Sequence, residues 1–376
     1  MATFNAKNER LKHTYLDFLR HGRGHDVSSV DAAAKALARF EADTKYRDFG
    51  LFHPSQAVAF KKRLQAQKNR RGTGTLSKAT THATLGHLKA FFTWLAGQTG
   101  YRSKLTATDI AYFSLSGKDT RVATARREGV GPTVEQVKHV LRLMPAGTDM
   151  EKRDRALMAF TLLTGARDSA TVSIKLKHVD MAAGSVFQDA RDVETKFSKS
   201  FTTVFVPVGD EVRQILVDWV AYLRIELLWG DDDPLFPATE MRPNAACRFE
   251  ASGLKREHWK SAAAVRKLFR EAFARAGLPY FNPHSFRHTL VRLGLTLCHS
   301  AEEFKAWSQN LGHEKAMTTF MSYGTVSFDR QRDIIRGLGV AKADAPESMA
   351  EMMRLLQSMA ARQNPPGLAD DAGVAP

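Results

Sequence analysis

Apolar residues recur at helical spacing along most of this chain, and the pattern gives way to strand-like sequence in only one stretch, at about residues 183–208. There SVFQ and TTVFVPV are rich in β-branched and aromatic residues and are bounded by Gly184 and Pro207. Everything else with a clear period is helical. The stripe Leu85, Leu88, Phe91, Phe92 and Leu95 ends at Gly97 and Gly100. Residues 154–164 read as a largely buried helix, with Leu157, Met158, Phe160, Leu162 and Leu163, stopped by Gly165, and Val212, Ile215, Leu216, Trp219 and Leu223 form another stripe. The pattern predicts a mainly α fold with a small antiparallel β-sheet.

Breaks in periodicity divide the chain. Residues 1–30 read as an N-terminal extension and 31–116 as a helical domain. Residues 117–131, GKDTRVATARREGVG, carry glycine and basic charge without an apolar period and read as a basic linker. Thr133 and Gln136, three apart after Pro132, form a capping box that opens a second domain over 132–343. Further helices are expected near 261–276, 284–298, 300–311 and 316–323, and the stretches DDDPLFP and ATEMRPNAACRFEASG as loops. Residues 344–376 read as a Met-rich helix followed by a flexible tail. The Met349, Met352, Met353, Leu356 and Met359 side suits an adaptable interface, with a neighbouring protomer or with its own domain.

Lys and Arg number 55 against 40 Asp and Glu, giving a net charge of +15. That balance favours a polyanionic partner, nucleic acid first. Lys61, Lys62, Arg63, Lys68, Arg70 and Arg71 gather in one stretch suited to a DNA backbone. The two cysteines, Cys247 and Cys298, give neither a disulfide framework nor metal-ligand spacing. No apolar run approaches about 20 residues and the N-terminus is polar, so a cytoplasmic protein without membrane spans is expected.

One ordered set of residues carries chemistry. Arg167 follows the turn Thr164-Gly165-Ala166; His284 and Arg287 lie three apart; His313 follows Leu311-Gly312; Tyr323 is the last tyrosine. A phosphodiester repels nucleophiles, so cations must be fixed on its non-bridging oxygens, where charge develops. Arginine suits this because its planar fork binds phosphate bidentately and stays protonated. A tyrosine hydroxyl can attack phosphorus, and a lysine can protonate the leaving sugar oxygen. Lys196, between the two strand-like segments, is the candidate donor, preferred over Lys199. Neither a nucleotide-binding loop nor a zinc pattern is present, so neither cofactor nor metal is expected.

The pieces LLTGAR (162–167), PHSFRHTL (283–290) and LGHEKAMTTFMSYG (311–324) resemble the tyrosine recombinases, the phage integrase family. The stretch ETKFSKSFTTVFVPV resembles that family's β-hairpin with its catalytic lysine. The resemblance implies a two-domain DNA clamp, a helical core-binding domain plus an α+β catalytic domain. It implies that Arg167 and Arg287 hold the scissile phosphate. His284 would accept or relay the tyrosine proton, His313 bond a phosphate oxygen, Lys196 protonate the 5′-oxygen, and Tyr323 form a 3′-phosphotyrosyl link. It further implies a homo-tetramer on two double-stranded DNA recombination sites, a Holliday junction, and room for accessory DNA-bending or directionality proteins. A type IB topoisomerase-like enzyme and a catalytically impaired DNA-binding regulator are the alternatives. This chain departs from the pattern in three places. The family's tyrosine usually stands nine residues after the Gly-His histidine, where Ser322 stands here, with Tyr323 one further on. Many members carry glutamate three residues after the first arginine, where this chain has Ala170 and Asp168 would partly replace it. Lys199 is a second lysine in the hairpin.

Overall fold

The computed structural model describes residues 4–69, 72–125, 129–195, 199–245 and 247–312. The chain divides into two compact units, Met1–Arg126 and Arg127–Pro376.

The described part of the first unit is all helical: α1 (Ala6–Asp17), α2 (Val27–Asp43), α3 (Pro54–Ala66), α4 (Lys78–Ala96), α5 (Ala107–Ile110) and α6 (Gly117–Thr124). Each starts where a side chain can accept the orphan N–H groups of the first turn: Asn5, Asp26, His53, Ser77, Thr106 and Ser116. The predicted stripe of α4 is its inner face, with Leu88, Phe91, Phe92 and Leu95 fully buried. Phe40 of α2 stands edge-on to Phe60, Phe92 and Phe113, at centroid distances of 5.3, 5.6 and 5.4 Å. Edge-to-face contacts of this kind add to what burial alone contributes.

Two segments differ from the sequence reading. Within residues 1–30, α1 packs as part of this unit. Tyr15 lies 5.1 Å from Phe91, and Asn8 Nδ2 donates to Glu41 at 3.0 Å. Residues 117–124, read as linker, form α6. That helix buries none of its residues, so it leaves no apolar period to detect; Asp119 ties it to Lys78 at 2.9 Å.

The second unit contains α7 (Val134–Leu143), α8 (Asp149–Thr164), α9 (Asp168–Ser173), α10 (Asp210–Ala221), α11 (Ala263–Arg275), α12 (Phe286–Leu297) and α13 (Ala301–Asn310). Its strands are β1 (Val179–Asp180), β2 (Ser185–Gln188), β3 (Phe201–Val204), β4 (Ala238–Pro243) and β5 (Phe249–Lys255). The Thr133–Gln136 capping box starts α7, and Ser300 with Glu303 does the same for α13. Helix α8 is buried from Ala156 to Thr164 and forms the spine of the core, with α10 packed along it. Strands β1, β2 and β3 form an antiparallel sheet in that order, with Ser185 opposite Val204 and Gln188 opposite Phe201. The Val206 N–H then donates to the Leu163 carbonyl at 2.9 Å, joining the strand exit to α8.

The stretch from 238 to 255, read as loop, is a second antiparallel hairpin, β4–β5. Its outer half buries nothing, with Phe249 73% exposed, so strand-like burial left no mark on the sequence. Its base is fixed instead. Arg153 Nη1 donates to the Pro237 carbonyl at 2.9 Å and to Thr239 Oγ1 at 3.0 Å, while its guanidinium lies over the Trp259 ring. Among the described residues no helix is long and apolar enough to cross a membrane.

Candidate active site

Helix α8 ends at Gly165, whose φ of 60° is left-handed. The turn calls for glycine, and a Cβ there would also crowd the side-chain ends of Leu290 at 2.9 Å and Leu311 at 3.2 Å. Thr164 Oγ1 accepts the Ala166 N–H at 3.1 Å, and the chain re-enters helix with Arg167 as the N-cap residue of α9. Arg167 is half-buried, and desolvation lowers its pKa. Among the described residues no carboxylate lies within ion-pairing distance of it. Its neighbour Asp168 is engaged elsewhere, with Arg266 of α11 at 2.6 Å. Ala170 is a buried residue of α9 itself.

Asn282 caps a 3₁₀ turn, Pro283–Ser285, which runs directly into α12 and so places His284 and Arg287 at the helix entrance. Arg287 is 6% exposed. Its Nη1 donates to the Gly165 carbonyl at 2.8 Å and its Nη2 to the Leu311 carbonyl. One guanidinium thus joins the ends of α8 and α13 to the start of α12. Both acceptors are carbonyls at helix C-termini, where backbone oxygens lack intrahelical donors. Burial, then the Arg167 cation, pull the Arg287 pKa down to about 9, which still leaves it charged at neutral pH. His284 reaches solvent, and its pKa is lowered by desolvation and by Arg287, His288 and Arg167, against a small opposing pull from Asp168. Arg167, Arg287 and His284 therefore share one field, and it favours an anion.

The end of α13 docks on β3. The Asn310 side chain accepts the Val204 N–H at 2.7 Å and donates to the Val204 carbonyl at 2.8 Å. Gly312 has φ 65°, and a Cβ there would strike the Phe201 ring at 2.8 Å. His313, the next residue, lies outside the described residues, as do Lys196, Tyr323, Arg70, Arg71 and the Met-rich segment. Lys199 is exposed just ahead of β3.

The loop from β2 toward Lys196 is fixed at several points. Val193 is buried, and its N–H and that of Asp192 donate to the Asp189 carbonyl at 2.7 and 3.1 Å. Asp192 pairs with Lys175 at 3.3 Å and Lys177 at 2.8 Å. Those two lysines hold its carboxyl well below the usual carboxylate range. Ser169 and Ser173 of α9 bond the backbone of Glu194. Nothing in the sequence reading singled out these residues. Their one signal is spacing, since residues four apart share a helix face. Gly129 and Gly131 were also unremarked: a Cβ on Gly131 would lie 2.4 Å from the Ser285 carbonyl, and Arg292 Nη2 donates to the Gly129 carbonyl at 2.9 Å. That segment is strapped across α12, against Ser285, His288, Thr289 and Arg292.

The basic cluster in the first unit is uneven. Arg63 is paired with Asp43, and Lys61 donates to the Ser114 carbonyl at 2.9 Å. Lys62 and Lys68 are exposed. Among the described residues no group of three or more His, Cys, Asp or Glu side chains converges.

Comparison with known proteins bears on this arrangement. A family model described as the phage integrase family matches residues 133–330, more than half of the chain. The tyrosine recombinase XerC of Halalkalibacterium halodurans is 25% identical over 203 residues, covering 54% of this chain and 59% of that relative. The XerC of Lactobacillus delbrueckii subsp. bulgaricus is 24% identical over 317 residues, 82% of this chain and 92% of the relative. Among solved structures, a lambda integrase dimer bound to a COC′ core site aligns with TM-score 0.57 at 13% identity. It covers 85% of this chain and 99% of that one. A XerH recombinase bound to a palindromic difH substrate aligns with TM-score 0.56 at 16% identity, covering 88% and 84%. At such identities these structures speak for the fold, mainly helical with small antiparallel sheets; the matched family, with the site's geometry, carries the assignment, and the chain belongs to the phage integrase family of tyrosine recombinases.

Proposed function

We propose that the protein cuts and rejoins DNA strands at specific sites through a 3′-phosphotyrosyl intermediate and a Holliday junction. The observation that carries this reading is the field shared by Arg167, Arg287 and His284: two cations whose pKa values burial has lowered, at the mouth of a fixed helix entrance. A phosphate entering that field relieves the cost of burying them, and the relief grows as charge builds on its oxygens.

In the cleavage step, Tyr323 Oη bonds to phosphorus and gives up its proton to His284. The P–O5′ bond breaks, its electron pair leaves with O5′, and Lys196 supplies the proton that neutralises it. Arg167 and Arg287 hold the non-bridging oxygens, joined by His313. Religation runs the same steps backwards with a new 5′-hydroxyl. The first unit takes the core-binding role, with Lys62 and Lys68 the cations of its cluster that are exposed and lack a carboxylate partner among the described residues, and the second unit is catalytic. We assign double-stranded recombination sites as substrate, a homo-tetramer on two duplexes as the working assembly, a mobile genetic element as the setting and the cytoplasm as the location. The Met-rich segment then serves as a contact between protomers.

The test is a nicked suicide duplex carrying the element's own ends, incubated with wild-type protein and with Tyr323→Phe and resolved on a denaturing gel. A protease-sensitive covalent band in wild type alone is expected, with equal duplex binding by both proteins. A band that persists in Tyr323→Phe removes Tyr323 as nucleophile. Binding without a band in either protein would leave a DNA-binding regulator.

A further inference from the structure

The helix that begins at Arg167 also grips the loop leading to Lys196. Ser169 Oγ donates to the Glu194 carbonyl at 3.2 Å, and the Glu194 N–H donates to Ser173 Oγ at 2.8 Å. Both backbone groups of Glu194 are therefore satisfied by hydroxyls one turn apart on α9. Ser173 commits its own proton backwards, within 3.1 Å of the Ser169 and Ala170 carbonyls, which turns its lone pairs outward to the loop. The grip is reinforced on either side. Val193 is inserted into the core, and Asp192 is held by Lys175 and Lys177. Lys196 is two residues beyond Glu194 in sequence. Two residues of extended chain span about 7 Å at most, so fixing Glu194 confines where the lysine can start from.

We propose that Ser169 and Ser173 are positioning residues: a clip that ties Glu194, where the lysine arm begins, to the helix that starts at Arg167. The inference rests on the reading of Lys196 as the proton donor to O5′. Among the described residues the two serine hydroxyls bond only backbone groups of the loop and of their own helix. The clip acts through the arm, and its loss should affect only the part of the reaction that the arm performs.

That restriction gives the test its resolving power. When the bridging 5′-oxygen of the scissile phosphate is replaced by sulfur, the leaving thiolate is a stable anion and needs no proton. The full-length protein is compared with Ser169→Ala/Ser173→Ala and with Lys196→Ala in single-turnover cleavage of suicide duplexes bearing oxygen or sulfur. The serine variant should cleave the oxygen substrate about 10- to 100-fold more slowly, the scale on which a misplaced group loses rate. It should cleave the sulfur substrate within about threefold of wild type, because general-acid assistance is no longer called on. Ser173→Thr, which keeps the hydroxyl, should restore the oxygen rate. Equal losses on both substrates, or none on oxygen, would overturn the clip. If Lys196→Ala is rescued by sulfur and the serine variant is not, the clip fails while the proton-donor reading stands. If sulfur does not rescue Lys196→Ala, the proton-donor reading fails and takes the clip with it. Should the double variant fold poorly, Ser173→Ala alone reads the same oxygen-to-sulfur ratio.

Discussion

Glu41 in the first unit and Arg287 in the second are both buried charges, and their surroundings treat them in opposite ways. Glu41 is 1% exposed and faces Lys12, with Asn8 donating to it as well. Burial opposes the Lys12 charge, yet Glu41 and Glu9 outweigh it and the lysine pKa rises. Arg287 is about as deeply placed, but burial and Arg167 dominate its field and its pKa falls. The first arrangement is closed: each charge already has its partner. The second is held by two backbone carbonyls and lies in the field of another cation. A buried charge matched by an opposite charge beside it reads as architecture, whereas one set beside a second cation reads as part of an anion site.

Several variants would break or sharpen that contrast. The largest effect is expected from Arg287→Lys. An ammonium cannot hold two carbonyls and a phosphate together. Single-turnover cleavage should fall about 100- to 1000-fold, the loss typical of removing one donor to developing charge, while duplex affinity changes little. Equal losses in rate and affinity would make Arg287 a binding residue only. Next comes Glu41→Gln, which removes the charge from the closed pair. It should cost about 1–3 kcal/mol of stability by urea unfolding, yet leave the cleavage step unchanged at saturating DNA. A slowed chemical step would show that the first unit's pair is not merely structural.

A smaller effect concerns pH. His284 shares the field of the two arginines and must be neutral to accept a proton. Its lowered pKa keeps it neutral further into acid than an ordinary imidazole, which titrates near 6.5. For the free enzyme kcat/KM for cleavage should therefore hold as pH falls to about 6.5 and decline only below it. An acid limb at or above that value would remove His284 as the acceptor. The smallest effect compares surface charges. Lys62→Ala should reduce the log–log salt slope of DNA binding by about 0.9 if the lysine touches a phosphate. The paired change Asp43→Asn/Arg63→Gln should leave it unaltered, because that charge is already matched. The reverse ranking would relocate the DNA-facing side of α3.

What the sequence made legible follows from how far apart the interacting residues lie. The stripes of α4 and α10 were readable because burial repeats along one helix, and α8 because its apolar run is nearly continuous up to Gly165. So was the Thr133–Gln136 cap, which needs only four residues. The ordered arginines and histidines stood out by residue type, but not their mutual hold. Arg287 meets Gly165 across 122 positions, a pairing that no local period encodes. Helix α6 and the β4–β5 hairpin were missed for the opposite reason. They are mostly solvated and are fixed by a few polar links at their edges, such as Lys78–Asp119 and the Arg153 bonds at the hairpin base. The serine grip on Glu194 shares both obstacles, being long-range and polar.

Asn310 has one consequence of a different kind. Its amide offers Val204 the same donor and acceptor that a neighbouring strand would, so the outer rung of β3 is already occupied. Val204 is 54% exposed and β-branched, the sort of residue that invites a stray chain to pair with it. By filling that rung from a helix end, the protein blocks the sheet from growing on that side. A row of free backbone groups, the usual template for edge-to-edge adhesion, is interrupted at that point.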